Sequence, residues 1–123
     1  MTKKTILIFD DDLALLDFAQ FLFEEQYYSV EVCSSTQNVI QKVEEIRPDI
    51  IFMDNWIPTI GGIQATRLLK SHLQFKTIPV IYMTTNKDIE NLARQALADD
   101  YISKPFSIEQ LESLTSKHLG ICH

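Results

Sequence analysis

The feature that most limits what this chain can fold into is a change of period that recurs along its whole length. Short, uninterrupted apolar runs alternate with longer stretches in which apolar residues return every three or four positions. Ile6 to Phe9 is all apolar, as a strand is when both its faces are buried. From Leu13 to Gln26, residues Leu15, Leu16, Ala19, Leu22 and Phe23 keep helical spacing, with Asp17, Gln20, Glu24 and Glu25 on the other side. Tyr28 to Cys33 alternates like a strand, and Gln37 to Ile46 carries Val39, Ile40, Val43 and Ile46 at helical spacing up to Pro48. The cycle continues with an apolar strand at Ile50–Met53, a loop from Asp54 to Gly62 and a helix from Ile63 to Ser71. A strand at Val80–Met83, a weaker helix at Asp88–Leu97 and a short strand at Asp100–Ser103 come next. The last helix opens on Ser107 with Gln110 three residues on, a capping box, and Gly120 stops it.

A strand–helix unit repeated in this way predicts an α/β fold, a parallel sheet with helices on both faces and right-handed crossovers. At 123 residues the whole chain, 1–123, is expected to be one domain. The 46% hydrophobic content is enough for one core and too high for a disordered chain. No apolar run reaches the length of a membrane span, and the start lacks the core and cleavage site of a signal peptide. The expected location is therefore cytoplasmic. A net charge of −6 argues against direct binding to nucleic acid or to an anionic membrane. Cys33 and Cys122 have no metal-ligand spacing; Cys33 reads as a small core residue and Cys122 as a free thiol. His72, His118 and His123 are scattered and read as surface residues.

Parallel α/β sheets bind ligands at the carboxyl ends of their strands, near the point where strand order reverses. The residues there are informative. Asp10, Asp11 and Asp12 follow the first strand, Asp54 the third, Thr84 and Thr85 the fourth, and Lys104 the fifth. Carboxylates gathered on one rim must take up protons or meet a cation. Oxygen donors with no His or Cys beside them favour Mg²⁺. A carboxylate, a metal, a lysine and a hydroxyl together make a phosphoryl-transfer site, in which positioning and electrostatics matter more than a strong base. Taken singly each residue has a plainer explanation. The aspartates serve as a helix cap, with Asp12 as the capping residue, and Asp54 serves as a turn former. The convergence of all of them on one predicted rim is the argument for chemistry.

These residues resemble the receiver domain of two-component response regulators over nearly the whole chain. The resemblance rests on Ile6-Leu-Ile-Phe-Asp-Asp-Asp12, Phe52-Met-Asp-Asn-Trp-Ile-Pro58 with Gly62, Pro79-Val-Ile-Tyr-Met-Thr84 and Lys104-Pro105-Phe106. It implies a flavodoxin-like three-layer sandwich with strand order 2-1-3-4-5. It implies Asp54 as phosphoacceptor, and Mg²⁺ held by Asp10, Asp11, Asp54 and the backbone carbonyl of Trp56. Lys104 and Thr84 would contact the phosphoryl group, Thr84 and Tyr101 would act as switch residues, and the Lys104–Pro105 peptide would be cis. The implied partners are a histidine kinase or histidine phosphotransfer protein, docking on the helix from Leu13 to Gln26, and a downstream protein or fused output domain. Phe18 and Phe21 lie toward the outer side of that helix. The chain would be a phosphoacceptor, not an enzyme. Trp56, Thr85 and Leu97 depart from the family's usual residues; Thr85 stands where a smaller residue is usual, and Leu97 where a glycine is common. Three other readings compete: an aspartyl-phosphate phosphatase of haloacid dehalogenase type using Asp10-x-Asp12, a flavodoxin-like electron carrier, and a degenerate receiver serving as a scaffold.

Overall fold

The computed structural model describes residues 3–120. Cys122 and His123 lie outside the described residues. Five strands alternate with five helices: β1 (Thr5–Phe9), α1 (Leu13–Glu25), β2 (Ser29–Cys33), α2 (Val39–Ile46), β3 (Ile50–Asp54), α3 (Gly62–Lys70), β4 (Val80–Thr84), α4 (Ile89–Ala96), β5 (Asp100–Ser103) and α5 (Ile108–Leu119). All neighbouring strands pair in parallel, in the order β2-β1-β3-β4-β5. This is the expected doubly wound, flavodoxin-like sheet. The reversal of strand order puts β1 beside β3, with Phe9 opposite Met53.

The apolar runs divide between two faces. Ile6 and Ile8 of β1, Ile50 and Phe52 of β3, and Ile81 and Met83 of β4 pack with Leu16, Ala19 and Phe23 of α1 and Leu111 of α5. Their alternate neighbours Leu7, Phe9, Ile51, Met53 and Val80 pack with Val39 and Val43 of α2 and Ala65 and Leu69 of α3. Tyr82 meets Ala93 and Ala96 of α4 on that second side. A period-2 strand with helices on both sides needs apolar residues at every position, which is why these runs show no polar interruption. Phe23 links the layers of the first face, meeting Tyr28 edge-on with ring centroids 5.7 Å apart and Phe52 at 5.9 Å.

Helix ends follow local chemistry. Asp12 caps α1 by accepting from the amides of Ala14 and Leu15. Ser107 and Gln110 form the expected capping box on α5, and Gly120 ends that helix at φ +67. Two predicted boundaries move. The helix expected from Gln37 begins at Val39, because Thr36 to Asn38 is drawn off by a loop described below and Asn38 takes a left-handed conformation. Asp54 and Thr84 are the last residues of their strands, not loop residues, with Asp54 opposite Met83 and Thr84 opposite Ser103. The Lys104–Pro105 peptide is cis.

Several single residues are also placed. Cys33 is half-buried against the α2/α3 side. His72 stacks on Phe75 at 4.4 Å. His118 does not stand free: its Nε2 lies 2.9 Å from Asp100, which also accepts from Lys117 at 3.1 Å. Burial works against the charge on Asp100, but His118, the Tyr101 amide and Lys117 outweigh it and hold the carboxyl below its ordinary range. Phe18 and Phe21 on α1 are 48% and 65% exposed, so neither adds to the core. Among the described residues no helix is long and apolar enough to cross a membrane.

Leu97 caps the carboxyl end of α4 at φ +66, a left-handed conformation that glycine adopts without penalty. It is half-exposed, so it gains little from burial. Leu97→Gly should therefore raise stability by about 0.5–1 kcal/mol, the left-handed strain relieved less the added freedom of the unfolded chain. Urea denaturation at fixed pH measures it.

Candidate functional site

The site lies on the rim where the adjacent strands β1 and β3 end, with β5 reaching it from across β4. Phe9 is the last residue of β1, so Asp10 emerges at the rim, its backbone amide held by the Cys33 carbonyl of β2 at 3.0 Å. The Asp10 carboxylate turns inward, is fully buried, and accepts the Asp12 amide at 2.9 Å. Asp11 points outward and is exposed. Asp54 closes β3 and is 5% exposed. One carboxylate oxygen from each of Asp10, Asp11 and Asp54 lies within 4.8 Å of the others.

Lys104 reaches this group from the end of β5. Its backbone amide donates to the Thr84 carbonyl at 2.9 Å, which fixes the start of the side chain beside β4. Its Nζ then donates to Asp10 Oδ2 at 2.6 Å and to Asp54 Oδ1 at 2.7 Å. Burial works against the ammonium's charge, but its hydrogen bonds to Asp10 and Asp54 prevail and hold its pKa above the ordinary lysine value. Asp54 is shifted the other way from most paired carboxylates. Burial raises its pKa, the hydrogen bond from Lys104 offsets only part of that, and the charges of Asp10 and Asp11 add to the rise. One ammonium does not balance three carboxylates. The oxygen donors, two of them buried and none accompanied by His or Cys, suit a hard divalent cation such as Mg²⁺.

The loop after Asp54 is fixed from three directions. Asn55 donates its amide to the Met83 carbonyl at 3.0 Å and accepts the Gly62 amide at 3.1 Å, closing the loop's base. Gly62 has no room for a side chain: a Cβ there would run into the Asp54 carbonyl, lying 2.9 Å from its carbon. Thr36, 2% exposed, accepts from the amides of Thr59 at 2.8 Å and Ile60 at 3.0 Å. Finally, the Tyr82 hydroxyl donates to the Asn55 side-chain oxygen. The Trp56 side chain projects from this loop and is 79% exposed, so it does not cover the acidic group.

The remaining predicted positions are near but separate. Thr84 is 2% exposed at the end of β4, and its hydroxyl accepts the Asn86 amide at 3.1 Å. Thr85, the next residue, points to solvent. Tyr101 is 39% exposed on β5, away from the acidic group and over a groove shared with Gln110, Ser113 and Leu114 of α5. Sequence reasoning missed Thr36 and the Tyr82–Asn55 pair. Thr36 had no local signal, because its partners are 23 and 24 residues away. Tyr82 read simply as another apolar strand residue.

The family model of the response regulator receiver domain matches residues 6–116. The chain belongs to that family. Curated relatives include the phosphate regulon transcriptional regulatory protein PhoB of Pseudomonas aeruginosa, 33% identical over 90% of this chain and 49% of its own length. The CAI-1 autoinducer sensor kinase/phosphatase CqsS of Vibrio cholerae is 32% identical over 84% of this chain but only 16% of its own length. The receiver domain thus spans at most about half of these relatives. Among solved structures, a response regulator from Chloroflexus aurantiacus superposes with a TM-score of 0.90 at 26% identity, covering 98% of this chain and all of that one. The receiver domain of a sensor histidine kinase from Pseudomonas aeruginosa, described with a magnesium ion coordinated in its active site cleft, gives 0.87 at 26% identity, over 98% and 100% of the two chains.

An Asp54 whose pKa rises on folding above its ordinary 3.8 opposes folding when ionised. That penalty is absent below the unfolded pKa, grows as pH rises through the folded pKa, and is complete above it. In buffer without divalent cation, Asp54→Asn should therefore have the higher denaturation midpoint at pH 7. The gap should close on acidification below about pH 4, where the wild-type carboxyl is protonated as well.

Proposed function

We propose that this receiver domain is a phosphoacceptor that takes a phosphoryl group onto Asp54 from the phosphohistidine of a histidine kinase or histidine phosphotransfer protein. The observation that carries this is the pairing of Asp54 with Lys104 at 2.7 Å inside the three-carboxylate group. An Asp54 oxygen attacks phosphorus, the phosphorus–nitrogen bond breaks, and the donor imidazole keeps the electron pair and regains a proton. Lys104 already sits against Asp54 and, once the new bond forms, pairs with a phosphoryl oxygen in place of the carboxylate charge. Asp10, Asp11, Asp54 and the Trp56 carbonyl would hold Mg²⁺, which supplies charge neutralisation to the transferring group. The described neighbour with magnesium in its cleft supports that choice. The domain turns over no external substrate, so it is a signalling module and not an enzyme in its own right.

Phosphorylation adds about −1.5 to −2 charge and three strong acceptors at Asp54. Thr84, now bonded to Asn86, would turn its hydroxyl to one of those oxygens, and Tyr101, now largely at the surface, would move into the space it leaves. The face made by α4, β5 and α5 is then the output surface, read by a separate protein or by a fused domain. Among the relatives, the matched stretch is 16% of a sensor kinase/phosphatase and 49% of a transcriptional regulatory protein. The exposed Phe18 and Phe21 on α1 suit a kinase or phosphotransfer helix as docking partner. Residues 1–123 would act as one unit in such a protein. With the family settled, the dehalogenase and flavin readings fall away; a scaffold without chemistry is the remaining alternative.

Trp56 is the chain's only tryptophan, so its emission reports on the site directly. Fluorescence should change on adding Mg²⁺ and again on adding beryllofluoride or acetyl phosphate. Asp54→Asn should abolish the second change. A wild-type protein silent to both additions would leave only the scaffold. Thr84→Ala should be phosphorylated normally and yet bind its output partner several-fold more weakly; unaltered partner binding would dismiss the Thr84–Tyr101 coupling.

A further inference from the structure

Tyr82 is fully buried yet carries a hydroxyl, so that hydroxyl must find a partner. The partner is Asn55, the residue that follows Asp54. The same ring packs on the other side against Ala93 and Ala96 of α4, with Ile63 of α3 and Leu92 of α4 at its edge. One rigid side chain therefore touches both the acceptor loop and the helix that borders the output face. Asn55 is well placed to pass on a displacement. Its amide is tied to Met83 and its carbonyl to Gly62, so its side chain is the only part of the residue not committed to the backbone ladder. Small alanines at 93 and 96 let the ring sit close to the α4 backbone, where a larger residue would hold the helix off.

We infer that Tyr82 is a positioning residue for the acceptor loop, its hydroxyl holding Asn55 and its ring holding α4, so that loop and helix respond together to what happens at Asp54. This rests on the phosphoacceptor reading and adds to it a route distinct from the Thr84–Tyr101 pair. The two tyrosines lie opposite each other in neighbouring strands but differ in kind. Tyr101 lies at the surface, whereas Tyr82 is enclosed and acts as a strut. Burial pushes the Tyr82 phenol up, and the negative charge of nearby Asp54 pushes it up further.

The experiment compares wild type, Tyr82→Phe, Asn55→Ala and the double variant. Each is titrated with beryllofluoride in saturating Mg²⁺ through Trp56 fluorescence, followed by amide hydrogen exchange over residues 89–96 and by urea denaturation. Tyr82→Phe keeps the ring and deletes only the hydroxyl, so the fold is expected to survive. Each single variant should need about fivefold more beryllofluoride for half-saturation, the factor one ordinary hydrogen bond supplies. The double variant should need no more than either single one, because both delete the same contact. In wild type, beryllofluoride should alter exchange in α4, and in Tyr82→Phe that response should be lost. A lower denaturation midpoint with unchanged beryllofluoride titration and unchanged α4 response would show Tyr82 to be structural only and overturn the inference. So would strictly additive effects in the double variant. A wild type that does not respond to beryllofluoride would overturn the phosphoacceptor reading itself and this inference with it.

Discussion

The organisation of this molecule depends on one lysine held between two buried carboxylates. Lys104 comes from the end of the fifth strand, Asp10 from the end of the first and Asp54 from the end of the third, and the ammonium lies within 2.7 Å of both. None of the three charges is tolerable there alone. Removing the ammonium would leave two buried carboxylates uncompensated, and breaking a buried charge group in this way typically costs about 3–5 kcal/mol. The fold accepts this arrangement because the rest of the rim is arranged to keep it. The Lys104 amide is anchored to Thr84, Asp10 is anchored to Cys33, and Asp54 lies inside a strand ladder. Even so, the balance is incomplete, and the excess of negative charge is what makes the site receptive to a cation.

The sheet that carries the site was legible because its chemistry is repetitive. Apolar runs at Ile6–Phe9, Ile50–Met53 and Val80–Met83 have no polar gaps, and the structure gives the reason: alternate residues serve opposite faces, each covered by helices. Asp10, Asp54 and Lys104 were legible for a related reason. Asp10 and Asp54 are the residues at which apolar runs stop and Lys104 is the residue after the short strand Asp100–Ser103, and in a parallel sheet such strand ends fall on one edge. The capping residues Asp12 and Ser107 act over two or three positions, well within reach of local reading.

What escaped the sequence acts over distance or against type. Thr36 holds the amides of Thr59 and Ile60, and that bond moves the start of α2 by two residues from where periodicity puts it. Tyr82 fits the apolar pattern so well that its hydroxyl goes unnoticed until Asn55 is found beside it. Leu97 occupies a backbone conformation that its side chain disfavours, which packing settles and propensity does not. Asp54 and Thr84 were placed one step too late, in loops, since polar residues at strand ends look the same as the first residues of a turn. These are the positions where tertiary contacts override local preference.

The strand order has a consequence for how the domain comes into being. Because β1 lies between β2 and β3, the first half of the chain can complete a three-stranded sheet before the second half exists, and β4 and β5 then add in turn on one side. During synthesis the strands emerge in that same order. The charges do not keep the same schedule. Asp10 and Asp54 are in place once three strands have formed, while the ammonium that makes them tolerable arrives with residue 104, after nearly all of the sheet. Any arrangement of the first three strands without residue 104 would leave Asp10 and Asp54 as a pair of carboxylates with no ammonium between them.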